Sequence, residues 1–227
     1  MWIKICANTT LEDAQLAADL GADAVGFVFA PSKRRVTPEQ VARITPHLPV
    51  TVERVGVFDS LDPEVIAEAA RTAGLDAVQL HGGVSANLAR SLHEIFASQI
   101  KIIQTIHWQV DADGANAADS AAATLIARQL GEISREGIVD RVLIDSRVGT
   151  ASGGTGVPFD WAKARATLTQ NAGHLKLIVA GGLRPENVEE AIGRLAPWGV
   201  DVASGVEAEP GKKSREKLAA FIKNARP

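Results

Sequence analysis

The strongest constraint on the fold is a regular alternation of short β-rich runs with amphipathic helical stretches along the whole chain. Most of the β-rich runs are nearly continuous apolar segments, as in parallel strands that are buried on both faces. About eight such units in 227 residues favour an α/β protein in which residues 1–227 form a single (β/α)8 barrel domain, also called a TIM barrel. The predicted strands are Trp2–Cys6, Ala24–Phe29, Thr51–Phe58, Ala77–His81, Ile100–Ile106, Arg141–Asp145, Leu175–Ala180 and Val200–Ala203.

Local signals mark where the helices between these strands begin. Thr37, Pro38 and Gln40 supply a capping threonine, a proline at the first helical position and the glutamine of a capping box. Asp62-Pro63-Glu64 and Pro185-Glu186-Asn187 predict two further helix starts.

A short phrase recurs at Gly21–Val25, Gly74–Val78 and Gly199–Ala203. We interpret it as the joint between a helix, ended by a glycine of positive φ, and the next strand. The segment Val110–Ala123 is rich in Ala, Asp and Asn and is predicted to be a long loop that enters a helix.

An open doubly wound sheet is the alternative architecture. Such a sheet usually has a glycine-rich fingerprint after its first strand. Here the first predicted strand is followed by Cys6-Ala7-Asn8, so the barrel is favoured.

Composition excludes several classes of partner. The net charge is −3 and the chain contains no block of like charges, so no nucleic-acid-binding surface is indicated. No apolar run approaches the ~18 residues of a membrane span. The amino-terminal residues lack the pattern of a signal peptide, and the single cysteine cannot form an internal disulfide. These features predict a cytoplasmic protein.

Active sites of (β/α)8 barrels lie at the carboxyl ends of the strands, and polar or glycine-rich residues follow most of the predicted strands. Gly181 and Gly182 after the seventh strand, with Ser204 and Gly205 after the eighth, stand where such barrels often bind phosphate. The alternative is that these residues form ordinary turns.

Three other residues at this end are candidates for chemistry. Cys6 is either a small buried hydrophobe or, because a polar loop follows it, a base or nucleophile. Asp145 is either a turn former or an acid. Arg34 belongs to a basic trio that is either a solvated loop or a clamp for a carboxylate. The role of His81 is ambiguous, and the scattered histidines show no metal-ligand spacing.

Taken in order, many segments resemble the phosphoribosylanthranilate isomerase family, and the match covers nearly the whole chain. The segments are KIC, GADAVGFVF, SKRRVTPEQ, VGVF, VQLHG, LIDS, GGTG, FDW, AGGLRPENV and SGVEAEPGKK. The resemblance implies an Amadori rearrangement of N-(5′-phosphoribosyl)anthranilate in tryptophan biosynthesis, without cofactor or metal.

The resemblance also implies roles for individual residues. Cys6 would be the general base and Asp145 the general acid. Arg34 would hold the anthranilate carboxylate, and Asp201 and His81 would contribute to substrate binding. Phosphate would bind at the loops after the seventh and eighth strands, through Gly181, Gly182, Ser204 and Gly205.

The chain departs from the family pattern at a few positions. Ala7 replaces the usual glycine after the cysteine, and an alanine of positive φ there would cost about 1 kcal/mol. Ser214 replaces an aspartate, and because serine also caps helices we expect little effect. Arg35 is a possible substitute for Arg34.

Two alternatives to the isomerase remain. One is another phosphate-binding barrel enzyme, although indole-glycerol-phosphate synthase would need a lysine acid with glutamate partners, and only Lys4 lies within a strand. Ribulose-phosphate epimerase would need His and Asp metal ligands. The other alternative is a non-catalytic barrel that binds a phosphorylated small molecule, which Ala7 favours. A monomer and a homodimer both remain open, as does a second substrate.

Overall fold

A computed structural model describes residues 1–110, 118–148 and 161–226. Eight parallel strands close into a barrel in chain order, and β1 pairs with both β2 and β8. The closed barrel is confirmed and the open sheet is excluded. The strands are β1 (Trp2–Ile5), β2 (Ala24–Val28), β3 (Glu53–Phe58), β4 (Ala77–Leu80), β5 (Lys101–Val110), β6 (Arg141–Val148), β7 (Lys176–Ala180) and β8 (Gly199–Val202).

Helices surround the barrel, and a small antiparallel hairpin of β9 (Glu207–Glu209) and β10 (Lys212–Lys213) follows β8. Short 3-10 helices occur at Thr45–His47 and Ser204–Val206. The α-helices are α1 (Leu11–Asp19), α2 (Pro38–Ala42), α3 (Pro63–Ala73), α4 (Ala86–Phe96), α5 (Ala118–Glu136), α6 (Trp161–Asn171), α7 (Val188–Leu195) and α8 (Arg215–Ala225). Within the described ranges, none of these helices combines the length and apolar character needed to cross a bilayer.

Two of the three predicted helix starts are confirmed. Thr37 and Gln40 form the complete capping box of α2, and Asp62 accepts hydrogen bonds from two backbone N–H groups at the start of α3. The start predicted at Pro185 is wrong, because α7 begins only at Val188. The side chain of Asn187 instead ties the preceding loop together, donating to the Gly182 carbonyl and accepting from the Arg184 N–H.

The recurring phrase has the predicted form at two of its three positions. Gly21 and Gly74 have φ of 97° and 62° and follow α1 and α3. At the third position the prediction is wrong, because Ala196 (φ 46°) ends α7 and Gly199 lies within β8. Gly199 is needed for space, since a Cβ there would lie 2.9 Å from the Trp2 carbonyl oxygen.

The predicted long loop Val110–Ala123 is wrong in its last part, because α5 already begins at Ala118. Val110 is the last residue of β5, and residues 111–117 lie outside the described residues. The GGTG and FD segments at 153–160 also lie outside them.

Strand periodicity divides the side chains into two sets. One set packs between the barrel and the helices and forms the main apolar core. The other points into the barrel, where Ala24, Val55, Ala77, Ile103, Leu143, Ile178 and Ala180 form a separate buried cluster. This inner cluster fills the middle of the barrel, so polar side chains gather above and below it at the two ends.

Candidate active site

A cavity of about 460 Å³ opens at the carboxyl ends of the strands. Its walls include every residue that the sequence singled out as a site candidate, whether for catalysis, substrate or phosphate. These residues are Cys6, Arg34, His81, Asp145, Gly181, Gly182, Asp201, Ser204 and Gly205. Arg35, the suggested substitute for Arg34, is exposed and does not line the cavity.

Cys6 follows β1 directly and is held by the neighbouring strands. Its N–H donates to the Val202 carbonyl at 2.8 Å, and only 7% of the residue is exposed. Gly26 on β2 makes room for the thiol, because a Cβ at Gly26 would lie 2.8 Å from the Cys6 Sγ. Ala7 has φ of 61°, so the backbone does adopt the left-handed conformation that the family's glycine would favour.

A buried ion pair lies beside the thiol. Lys4 Nζ lies 2.7 Å from the Asp201 Oδ1, and the Lys4 side chain is fully buried. Burial raises the pKa of the Cys6 thiol above its ordinary value, and the neighbouring Lys4 ammonium opposes that rise without cancelling it. Burial also raises the pKa of the Asp201 carboxyl, against the opposing effect of Lys4.

Arg34 reaches the cavity from the loop after β2, where Glu207 binds it in a two-point ion pair. Arg34 Nε and Nη2 donate to the Glu207 carboxylate at 2.8 and 2.6 Å. Lys213 Nζ donates to the same carboxylate at 3.3 Å and to the Cys6 carbonyl at 2.6 Å. Burial alone would raise the pKa of Glu207, but these cationic partners lower it, so the carboxylate stays ionised.

Asp145 follows Leu143 in the inward-facing row of β6 and pairs in register with His107 on β5. The Asp145 Oδ2 lies 3.7 Å from the His107 Nδ1, and the His107 Nε2 lies 2.9 Å from the His81 carbonyl oxygen. Since that oxygen can only accept, Nε2 carries the hydrogen and Nδ1 is turned toward the carboxyl group. The rings of His81 and His107 meet edge to face at 4.7 Å.

His81, His107 and Asp145 are also the one group in the described ranges whose ligand atoms could surround a metal ion, all within 4.8 Å of one another. Sequence spacing gave no sign of it. Zinc bonds of about 2 Å in tetrahedral geometry place ligand atoms roughly 3.4 Å apart. The 3.7 Å separation of the Asp145 Oδ2 and the His107 Nδ1 would therefore have to shorten for zinc to bind.

Sequence reasoning missed His107, Glu207 and Lys213 as members of the site. The alternation of β5 could have identified His107, because every second side chain of a strand points to the same face. Ile103 and Thr105 point into the barrel, and His107 is the next residue in that series. The predicted strand ended at Ile106, whereas β5 continues through His107 to Val110. Nothing local in the sequence distinguishes Glu207 and Lys213 from surface charges.

The two glycine-containing loops after β7 and β8 contact each other closely. Gly181 and Gly182 have φ of 87° and 68°, so both adopt the conformation for which glycine is suited. A Cβ at Gly205 would lie only 1.9 Å from the Leu183 carbonyl oxygen, so no larger residue fits there. Ser204 opens the 3-10 helix beside this contact. Their exposed backbone forms one wall of the cavity.

Comparison with known proteins places the chain in a family. Residues 3–224 match the model of the N-(5′-phosphoribosyl)anthranilate (PRA) isomerase family. The chain is 41% identical to the N-(5′-phosphoribosyl)anthranilate isomerase of Thermotoga petrophila over 99% of its length and 98% of the relative. It is 40% identical to that of Rubrobacter xylanophilus with the same coverage.

Solved structures agree with this match. The phosphoribosyl anthranilate isomerase of Thermotoga maritima aligns with a TM-score of 0.81 and 36% identity, over 100% of this chain and 98% of the other. A second structure of such an isomerase, in complex with reduced 1-(o-carboxyphenylamino)-1-deoxyribulose 5-phosphate, aligns with a TM-score of 0.76 over the same shares. The chain therefore belongs to the N-(5′-phosphoribosyl)anthranilate isomerase family.

Proposed function

We propose that this protein catalyses the Amadori rearrangement of N-(5′-phosphoribosyl)anthranilate to 1-(2-carboxyphenylamino)-1-deoxyribulose 5-phosphate, a step of tryptophan biosynthesis. One observation carries the proposal: a thiol and a carboxyl group line the same cavity, with Cys6 directly after β1 and Asp145 within β6. An acid and a base in one cavity suit a reaction that adds one proton and removes another.

Asp145 is the general acid of the proposed reaction. It protonates the ring oxygen of the furanose, so that the ring opens to an iminium ion. Cys6, as thiolate, then removes the proton from C2′, and the resulting enolamine tautomerises to the ketone. The substrate loses one proton and gains one, so the reaction needs no redox partner and we propose no cofactor.

The remaining walls of the cavity hold the substrate. Arg34 binds the anthranilate carboxylate, because a guanidinium matches a carboxylate in two-point contacts. Asp201 and His81 contact the rest of the anthranilate portion. The phosphate binds at the loops formed by Gly181, Gly182, Ser204 and Gly205, whose glycines permit close approach of backbone N–H groups. We place the reaction in the cytoplasm, within a monomer or a homodimer.

The contact between Arg34 and Glu207 has a consequence for binding. Arg34 already has a carboxylate partner in the protein. For the substrate carboxylate to bind, it must use guanidinium N–H groups that Glu207 leaves available, or replace part of that contact. Glu207 then keeps the guanidinium pointed into the cavity in the absence of substrate.

The test follows the loss of anthranilate fluorescence when phosphoribosylanthranilate is generated in situ. We expect turnover by the wild-type protein and a decrease in kcat of about 10²-fold or more in both Cys6→Ser and Asp145→Asn. Circular dichroism of each variant controls for folding.

A folded wild-type protein that binds the substrate without converting it would refute the isomerase and support the binding-only alternative. Binding that is unaffected by Cys6→Ser would support that alternative further. The strained conformation of Ala7 next to the thiol is the observation that keeps this alternative worth testing.

A further inference from the structure

Lys4 is a buried cation next to the proposed base, and the reaction as described does not use it. Lys4 and Cys6 are two residues apart on the same run of chain, so strand periodicity turns both toward the inside of the barrel. Lys4 is paired in register with Asp201 on β8, and its Nζ contacts the Asp201 Oδ1 at 2.7 Å. The ammonium is thus anchored at one fixed point below the thiol.

A buried ion pair of this kind is weak evidence for a structural role. Removing a lysine and an aspartate from water costs several kcal/mol, and well-packed apolar residues in their place are often as stable or more so. The question is therefore what else the ammonium contacts. Besides Asp201, the group that acts on the ammonium is the Cys6 thiol, which lies two residues further along the same inward-facing run of chain. Burial works against the charged form of Lys4, yet Asp201 and Cys6 together raise its pKa, so the group stays an ammonium.

We propose that Lys4 is a positioning residue for the general base, and that its ammonium, held by Asp201, orients the Cys6 sulfur and stabilises it as a thiolate. The inference rests on the proposed function for its catalytic meaning, because Cys6 acts there as the base. The thiolate needs a counter-ion only until it takes the C2′ proton, after which Lys4 is left facing a neutral thiol.

Other charges face Cys6 from the elements packed around it. Lys213 on β10 binds the Cys6 carbonyl oxygen and Glu207 on β9, and its charge also favours the Cys6 thiolate, though less than that of Lys4. Arg34, from the loop after β2, is bound to the same Glu207. Strand β2 itself presents Gly26 to the thiol, which carries no charge.

The acidic groups act in the opposite direction. Asp201 on β8 opposes ionisation of Cys6, and Asp145 on β6 acts on Asp201 in turn. Among the residues that the structure describes, Lys4 is the cation with the strongest stabilising effect on the Cys6 thiolate. Loss of Lys4 should therefore shift the ionisation of Cys6 to higher pH.

The experiment measures the rate of Cys6 alkylation by iodoacetamide against pH, without substrate. Cys6 is the one cysteine of the chain, so each protein incorporates a single label. We expect the midpoint of this profile to rise by one pH unit or more in Lys4→Met. We also expect kcat at pH 7 to decrease about tenfold or more, with KM changed by less than threefold.

The double variant Lys4→Met/Asp201→Asn separates the proposed role from simple charge neutralisation. It leaves no unpaired buried carboxylate, so it should fold even if Lys4→Met does not. We expect its alkylation midpoint to stay above that of the wild type. A matched control is Lys176→Met at the far end of the barrel, where the lysine lies over the Trp198 ring, and its midpoint should be unchanged.

The proposal would be overturned if folded Lys4→Met had the same alkylation midpoint as the wild type. It would also be overturned if the midpoint of the double variant equalled that of the wild type. If the wild type does not isomerise phosphoribosylanthranilate but the midpoint still shifts, the proposed function fails and the pairing of Lys4 with the thiolate stands. The alkylation profile and the turnover assay therefore test the two proposals separately.

Discussion

The two ends of the barrel both bury charged side chains, but they do so in different ways. At the amino end, Arg141 donates to both oxygens of Glu53 at 2.6 and 2.9 Å. The Arg141 guanidinium also lies 5.6 Å from the centre of the Trp2 ring, which stacks on Trp198 at 5.2 Å. The charges here are surrounded by partners and by aromatic surface, which seals this end.

At the carboxyl end the charged residues surround an open cavity, and several polar atoms lack partners. Within the described ranges, buried Asn8 Oδ1, Gln79 Oε1 and His107 Nδ1 have no hydrogen-bond partner. Ala7 adopts a left-handed conformation next to the thiol. Such unsatisfied groups and strain reduce stability, and they are typical of places where a ligand supplies the missing contacts.

The comparison shows that one kind of interaction, the buried ion pair, serves two purposes in this fold. At the amino end the pair of Arg141 and Glu53 closes the structure. At the carboxyl end the pair of Lys4 and Asp201 holds an ammonium next to Cys6, which we propose as the general base. Substitutions at the first end should therefore change stability, and substitutions at the second should change activity.

The largest expected effect is at the amino end. Arg141→Met removes the cation from a pair whose side chains are 3% and 12% exposed. We expect the free energy of unfolding to decrease by about 3 kcal/mol. This value is at the lower end of the range for a broken buried ion pair, because Lys101 still contacts Glu53. Urea denaturation measures it, and kcat/KM of the folded protein should stay within about twofold.

The control for this prediction is Arg90→Met, which breaks an ion pair with Glu136 between half-exposed side chains. Its cost should be below about 1 kcal/mol. An equal loss in both variants would mean that burial does not distinguish the two pairs.

Glu207→Gln is expected to change substrate binding. It removes the anion that orients Arg34 and that Lys213 contacts. We expect KM to rise about tenfold, because that factor corresponds to the free energy of one hydrogen bond to a charged group. We expect kcat to change little. A larger loss in kcat than in KM would contradict this role.

The same variant should have a pH-dependent effect on stability. The contacts with Arg34 and Lys213 lower the pKa of Glu207, so its carboxylate stabilises the fold above the unfolded pKa of about 4.3. That contribution is lost as pH falls through the lower folded value. The stability difference between wild type and variant should therefore be full at pH 7 and shrink below about pH 4, as measured by denaturation at each pH.

The smallest expected effect concerns Ala7→Gly. Relief of the left-handed conformation should outweigh the extra freedom of glycine in the unfolded chain and stabilise the protein by about 0.5 kcal/mol. Ala196→Gly is a matched control, since Ala196 ends α7 with φ of 46° and does not line the cavity. We expect both variants to be stabilised by a similar amount and only Ala7→Gly to change kcat. That result would show that backbone strain affects stability at both positions but affects catalysis only next to the thiol.

Most of the fold followed from local patterns in the sequence. Nearly continuous apolar runs and capping residues such as Thr37 and Asp62 are patterns of a few residues, so they can be recognised without knowledge of the fold. The end of β5 was missed because His107 and Trp108 were taken to follow the strand rather than extend it. The positions of all nine candidate site residues around one cavity followed from the strand ends and the family pattern.

Contacts between distant residues could not be predicted from the sequence. The pairing of Arg34 with Glu207 joins residues 173 positions apart, and that of Arg141 with Glu53 joins residues 88 apart. Which charges become buried partners depends on strand register and loop packing, and no local pattern encodes it. For the same reason His107 could be placed beside Asp145 only once β5 and β6 were aligned.

The ion pair of Lys4 and Asp201 spans 197 positions and joins the first strand to the last. A chain that emerges from the ribosome residue by residue therefore has an incomplete cavity until β8, which carries Asp201, has been made and has closed against β1. Shortened translation products that lack β8 would have the thiol without its anchored ammonium. Isomerase activity should then appear only when the barrel has closed. Activity would therefore indicate that synthesis of the chain is complete.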